Sequence, residues 1–300
     1  MKKILKWIGI VVGSLIGLAL VVGVTLSLIG NARLNKTYDF PPSDIVLPTD
    51  EASLELGKHR VDSLCAGCHG PDLSGIENWF DGGPLGTIDS ANLTGGEGGV
   101  GATYTTQDFV NSIRHGIDAK GKPIFMPAVF STSYLSDEEL GAIIAYLNTL
   151  PPIDHTTNGK QFTSLAKIMV VLGVLPSFPV EVVSHEAHVP SVEAGPTAEY
   201  GKYMVDTHDC RLCHGQELNG GPFPDPTKTK ISPNLTPGGE VAFWTEEEFI
   251  ATIRTGVTPG GHELDYEFMP WKDYAKFYDH ELQAIYAYLQ TVEKLPQYTE

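Results

Sequence analysis

Two five-residue strings, Cys65-Ala66-Gly67-Cys68-His69 and Cys210-Arg211-Leu212-Cys213-His214, constrain this chain more than any other feature. They contain all four of its cysteines, so no thiol is left for a disulfide elsewhere. In each string the two thiols lie three residues apart and an imidazole directly follows the second. On a helix, positions i and i+3 share a face, so both sulfurs can meet the two vinyl groups on one edge of a haem while the histidine ring turns under the iron. The string is the signature of c-type haem attachment, and finding it twice predicts two covalently bound haem c groups held at Cys65, Cys68, Cys210 and Cys213. Three other uses of these residues are weaker. A zinc site pooling the four cysteines is argued against by the 141 residues between the pairs and by the histidine after each. A thioredoxin-like redox pair needs a βαβ setting that the sequence does not offer. A disulfide within each pair leaves both histidines unexplained.

The surroundings of the two strings are also duplicated. The first copy reads LELGKHRVDSLCAGCHG, ANLT, YTTQDFVNSIRHG, FMP and DEELGAIIAYL, and the second AEYGKYMVDTHDCRLCHG, PNLT, WTEEEFIATIRTG, FMP and DHELQAIYAYL. This places two units at 50–152 and 195–297, joined by a linker at 153–194. Each unit carries signals for three helices. In the first, a helix from about Ala52 leads to Cys65. A second opens with the capping box Thr105-x-x-Asp108 and stops at Gly116. A third opens at Ser136-x-x-Glu139 and sets Leu140, Ile143, Ile144 and Leu147 on one face before Pro151 and Pro152 end it. The second copy repeats the plan with Thr245-x-x-Glu248, Gly256, an N-cap at Asp279, and the face of Leu282, Ile285, Tyr286 and Leu289. Three short helices bury too little to hold about 100 residues together, so something else should fill each core.

A haem iron bound by His69 or His214 needs a second protein ligand or an open face. Met126 and Met269 occur in the same tripeptide, Phe-Met-Pro, at matched positions before the last helix, which points to them as the second axial ligands. A lone methionine is usually core filling, and matched positions are what set these two apart. His262, in a Gly-Gly loop, is a weaker candidate ligand. His115 reads as a surface residue near a helix end, and His59, His155, His185, His188, His208 and His280, which have no repeated partner, as solvated. Arg114 and Arg254 match each other and are candidates either for pairing with haem propionates or for plain surface positions.

The N-terminal stretch 4–30 is predicted to be a transmembrane anchor. From Trp7 to Gly30 there are 24 residues without a charge, preceded by Lys2, Lys3 and Lys6. At ~1.5 Å per residue the span reaches about 36 Å, against a hydrocarbon core of about 30 Å. The preceding lysines favour a cytoplasmic N-terminus and put everything after Arg33 on the far side. A cleaved signal peptide is the alternative, with Gly30 and Ala32 as its small-residue pattern, although signal cores usually run to only ~7–15 residues. The net charge of −17 excludes a nucleic-acid binder, and 42% apolar against 19% charged residues excludes disorder throughout. The linker segment Leu165–Val183 is apolar but interrupted by Lys167, Pro176 and Pro179, too short to span a bilayer. It is expected to pack across one or both units, with an interfacial or partner-binding segment as the alternative.

Each unit resembles a class I cytochrome c domain: the Cys-x-x-Cys-His string early, a methionine loop later, and Gly57 or Gly201 on the first helix facing Tyr146 or Tyr288 on the last. The Asn92–Thr94 and Asn234–Thr236 blocks, the Ile-Arg-x-Gly block and the Tyr-Leu ending are similar to the membrane-anchored cytochrome c subunits of bacterial alcohol, sugar and aldehyde dehydrogenases. The resemblance covers about 200 of 300 residues. Those subunits commonly carry three haem domains, where this chain has two and a distinct anchor. The expected fold is mainly α: two tandem cytochrome c-type helical haem domains after one transmembrane helix. The resemblance implies an electron carrier rather than an enzyme, with a dehydrogenase or respiratory complex as redox partner, at the outer face of the cytoplasmic membrane. An acidic protein of this kind should meet a basic docking patch. The rival from another class is a dihaem peroxidase, which needs one haem with an open sixth position.

Overall fold

The computed structural model describes residues 2–175, 178–223 and 230–299, so Pro176 of the linker lies outside the described residues. Helix α1 (Lys2–Leu34) is long and apolar enough to cross a membrane and is bare of protein contacts over most of its length. In the first unit α2 (Glu51–Leu64) starts where the Asp50 carboxylate accepts the Ser53 N–H, and it delivers the chain to Cys65 and the single turn α3 (Ala66–His69). Helix α4 (Thr106–Val110) opens on the Thr105/Asp108 capping box, widens into a π turn over Asn111–His115, and closes at Gly116, whose φ of 74° is the left-handed region that favours glycine. A short α5 (Val129–Thr132) and then α6 (Asp137–Leu147), capped by Ser136, complete the unit. After the linker helix α7 (Ser164–Val171), the plan returns as α8 (Ala198–Thr207), α9 (Cys210–His214), α10 (Glu246–Thr255), α11 (Trp271–Tyr274) and α12 (Asp279–Leu289). One cap differs from expectation: Tyr278 is the N-cap of α12 and Asp279 its first helical residue. The free Tyr278 N–H is met instead by the Glu281 carboxylate, at 2.8 Å.

Strands are few and short. β1 (Phe80–Asp81), β2 (Gly86–Ile88) and β3 (Lys160–Phe162) form one antiparallel sheet in that order, and β4 (Gly221–Pro222) pairs with β5 (Ile231–Ser232). Because β3 belongs to the linker, the chain between the units is pinned to the first unit. Phe178 and Val180 continue this by packing with Ile117 and with Leu34 at the end of α1.

In both units the first and last long helices cross at a glycine. A Cβ on Gly57 would run into the carbonyl oxygen of Ala142, and one on Gly201 into that of Ala284, so hydrogen alone lets α2 lie on α6 and α8 on α12. The cores gather around these crossings: Val61, Phe109, Leu140, Ile143 and Ile144 in one, Met204, Phe249, Leu282, Ile285 and Leu289 in the other.

A buried polar network joins the units. Arg60, with no exposed surface, donates Nη1 to Glu281 (2.6 Å) and Nη2 to Glu139 (2.8 Å) and to the Tyr200 hydroxyl (2.8 Å). His59 Nε2 meets the other Glu281 oxygen at 2.8 Å, and Tyr203 donates to the other Glu139 oxygen at 2.7 Å. Glu139 and Glu281 are equivalent in the repeat, as are His59 and Tyr203, so each unit offers its carboxylate to the other's first helix. The contact is therefore reciprocal, as in a twofold dimer. Burial pushes the Glu281 carboxyl up, but the His59 hydrogen bond and the Arg60 charge outweigh it and hold it at about 2.

Gly57→Ala or Gly201→Ala should destabilise the protein by about 1–3 kcal/mol in denaturant melts, whereas Gly95→Ala, with nothing within 4 Å, should leave the midpoint unchanged. Since Glu281 titrates at about 2 in place of its ordinary 4.5, its contribution is complete above the ordinary value and fades as pH falls toward 2, an increment on the order of 3 kcal/mol. Melts between pH 6 and 2 should show Glu281→Gln lacking that acid-dependent loss.

Candidate functional site

The helix crossing fixes where each string emerges. Cys65 is the C-cap of α2, its N–H bound to the Val61 carbonyl, and α3 follows as one turn in which His69 N–H reaches the Cys65 carbonyl at 2.9 Å. The i, i+3 spacing expected of the thiols is thus present on a helical turn, and α9 repeats it with Cys210 and Cys213. All four cysteines are free and half-buried. Burial pushes the thiols of Cys65 and Cys210 up to about 12 and those of Cys68 and Cys213 up to about 11.

Both imidazoles are aimed by the same device. His69 Nδ1 lies 2.7 Å from the Ala91 carbonyl oxygen, and His214 Nδ1 lies 2.9 Å from that of Pro233. A carbonyl can only accept, so Nδ1 carries the proton and Nε2 keeps its lone pair, the form in which a histidine ligates a metal. Burial holds both rings below their ordinary value, against the opposite pull of the carbonyl bond, and so keeps them neutral. The carbonyls are themselves held in place. Asn92, next to Ala91 and fully buried, donates to the Ile153 and His155 carbonyls and accepts from the Thr94 N–H and hydroxyl. Asn234, next to Pro233, donates to the Leu295 carbonyl and accepts from the Thr236 N–H. The Asn-Leu-Thr blocks are visible in the sequence, but their work of staking the histidine's carbonyl is not.

Cys65, Cys68, His69 and Met126 line one cleft, completed by Leu64, Ile113, Ala128, Thr132, Leu135 and Ile143. Two thiols, a neutral imidazole and a thioether against an apolar wall form the donor set that a covalently attached haem requires. In the second unit Cys210 and Met269 pack against the same buried cluster. The first site faces the second unit: Asp273 approaches Gly67, and Asp209 and Asp273 add to burial in raising Cys68. Asp209, immediately before Cys210 and in the left-handed region at φ 58°, accepts from Ser131 of the first unit at 2.5 Å.

Arg114 is not among the residues lining the first cleft, and Arg114 and Arg254 bond protein groups at matched places. Arg114 takes the Leu135 carbonyl at 2.8 Å and Asp137 at 2.7 Å, and Arg254 takes the Ala275 carbonyl and Asp279 at 2.7 Å, tying one helix end to the start of the next long helix. The surface position offered for Arg114 is wrong, since it is buried. His115 is likewise buried and not on the surface, 3.1 Å from His185 and stacked on Phe40, with burial holding it at about 4. Of the histidines expected in solvent, His59 is buried in the network between the units and His208 is buried edge-on to Phe277. His262 is exposed at its loop. Sequence reasoning passed over Arg60, Glu139, Glu281, Tyr200 and Tyr203; the equivalence of the two glutamates was the available signal.

Comparison with known proteins finds cytochromes. The profile of the family described as cytochrome C oxidase, cbb3-type, subunit III matches residues 52–147 and again 196–289. A diheme cytochrome c-type protein of Cereibacter sphaeroides is 26% identical over 258 residues, 76% of this chain and 81% of that protein. The fructose dehydrogenase cytochrome subunit of Gluconobacter japonicus is 29% identical over 143 residues, 44% of this chain, and the cytochrome c subunit of a quinone alcohol dehydrogenase of Gluconobacter oxydans is 33% identical over 95 residues, 29% of this chain. The matches span only 28% and 20% of those two subunits. Reduced recombinant cytochrome c4 from Pseudomonas stutzeri aligns over 80% of this chain and 98% of its own at 15% identity, with a TM-score of 0.22, too low for the two to superpose.

Asn92→Ala orphans several buried groups at once and should cost about 1–3 kcal/mol for each left unpaired. Thermal melts and the pH dependence of the first site should both change, whereas Asn31→Ala, on exposed α1 surface, should move neither.

Proposed function

The chain belongs to the family of cytochrome C oxidase, cbb3-type, subunit III, and from that premise we propose that it is a membrane-tethered dihaem c-type cytochrome that passes single electrons between a dehydrogenase or respiratory donor and a downstream acceptor. Cys65 and Cys68 would hold one haem by thioether bonds, and Cys210 and Cys213 the other. His69 with Met126 would hold the first iron, and His214 with Met269 the second. Each haem supplies ferric–ferrous exchange, and the chain supplies position, burial and potential. Held by His69 and Met126, and by His214 and Met269, the irons would have raised reduction potentials and no position left for a substrate, which would favour a carrier over a peroxidase.

The observation that carries this reading is the repeated pairing of each string's histidine with a staked carbonyl, which frees Nε2 for a metal. Helix α1 would anchor the protein with Lys2, Lys3 and Lys6 on the cytoplasmic side and both units outside. The cytochrome subunits of fructose and alcohol dehydrogenases among its relatives support a dehydrogenase as donor. A net charge of −17 suits a partner with a basic docking patch, in an association that weakens with salt.

Met126→Ala and Met269→Ala test the ligand assignment one site at a time. Each variant should keep two haems per chain, lose one methionine–iron charge-transfer band, and lower one of two potentials by on the order of 100 mV, within the roughly 0.8 V that axial ligands span. Unchanged potentials and an intact band would remove that methionine from the iron. Peroxide turnover in the unmodified protein, with one band missing, would favour the peroxidase.

A further inference from the structure

The last turns of α1 are not bare. Gly23, Leu26, Ser27, Gly30, Arg33 and Leu34 form a partly or fully covered stripe at helical spacing, and α7 is what lies on Gly30. A Cβ at Gly30 would collide with the Lys167 carbonyl, so the two helices touch backbone to backbone. Arg33 locks the contact, donating to the Val170 carbonyl at 2.9 Å and pairing with both oxygens of Glu181 at 3.0 and 2.5 Å. From Gly23 to Gly30 the covered stripe descends ~10 Å along α1 at ~1.5 Å per residue, within the apolar run Trp7–Gly30.

Helix α7 buries Ala166 and Val170 against this contact and turns the opposite face outward. Leu165 is 45% exposed and Leu172 60%, with Ile168 and Met169 half-buried between them at i+3 and i+4, and Val174, also 60% exposed, extends the patch. The charge pattern matches. A chain with 37 acidic residues has none between Asp154 and Glu181, while Lys160 and Lys167 fall inside that stretch. An apolar face beside an anchor, in a segment without a carboxylate and with Lys167 on the same helix, suits a bilayer surface bearing anionic headgroups.

We propose that α7 and the turn after it, Leu165 to Val174, dip into the outer leaflet alongside α1, so that the first unit rests on the membrane through two segments. This rests on the proposed anchoring by α1. It also orients the first site. Phe162 at the end of β3, two residues before α7, packs edge-on to Phe125, the residue before Met126, with ring centroids 6.0 Å apart, so the methionine side of the first cleft lies beside the segment that would enter the leaflet.

The full-length haem-loaded protein, reconstituted in phosphatidylcholine–phosphatidylglycerol vesicles carrying a diazirine in the acyl chain, tests this by photolysis and mapping of lipid adducts by mass spectrometry. Adducts are expected on both α1 and the 164–175 peptide. The pair Leu172→Asp and Val174→Asp should remove most adducts from 164–175 and keep those on α1, with unchanged optical spectra showing an intact fold. Adducts confined to α1, including the case where 164–175 instead cross-links to a second copy or another protein, would overturn the proposal and leave the anchor standing. Absence of adducts from α1 as well would overturn both.

Discussion

Backbone contact between the first and last helices of each unit is the constraint on which the rest depends. Gly57 and Gly201 permit it, and because Cys65 is the residue at which α2 ends, the depth of that crossing sets where the thiols and then the imidazole emerge. A side chain there would lift α2 from α6 and move the string away from the cleft wall formed by Leu135 and Ile143. The histidine is then fixed from the other side by a carbonyl that a buried asparagine holds still. Two separate elements thus converge on one ring, which leaves a single nitrogen available to a metal.

The same economy of parts joins the two units. Glu139 and Glu281 each adjoin the start of a last helix and each reach into the partner unit, Glu139 to Tyr203 and Glu281 to His59 and Arg60, while Arg60 also takes an oxygen of Glu139 in its own unit. A buried guanidinium shared by two carboxylates tolerates little displacement, because separating the units would strand charge in a dry interface. With Asp209 bonded to Ser131 beside Cys210, and Asp273 beside Gly67, the two attachment strings stay on facing surfaces of one body.

Much of this was legible in the chain because it is written locally. Capping boxes at Thr105 and Thr245, left-handed glycines at Gly116 and Gly256, and the periodic faces of α6 and α12 are all short-range signals, and the structure has them. The duplication made the cysteines, histidines and methionines conspicuous. The histidine environments were not legible. His59, His115 and His208 have no repeated partner and look like surface residues, yet each is buried by an element distant in sequence: α12, the linker and Phe277. Arg60 was invisible for the same reason, since its ligands come from two units and no local pattern announces a domain interface. Asp279 was misplaced by one residue because Glu281 satisfies the helix start from within.

On this account each Cys-x-x-Cys-His string carries a covalently bound haem. Intact-mass measurement of the purified chain, before and after extraction with acidified acetone, tests it directly. A mass exceeding the polypeptide by two haem groups, with colour retained in the protein after extraction, is the predicted result. A bare polypeptide mass, or pigment released into the solvent, would contradict it.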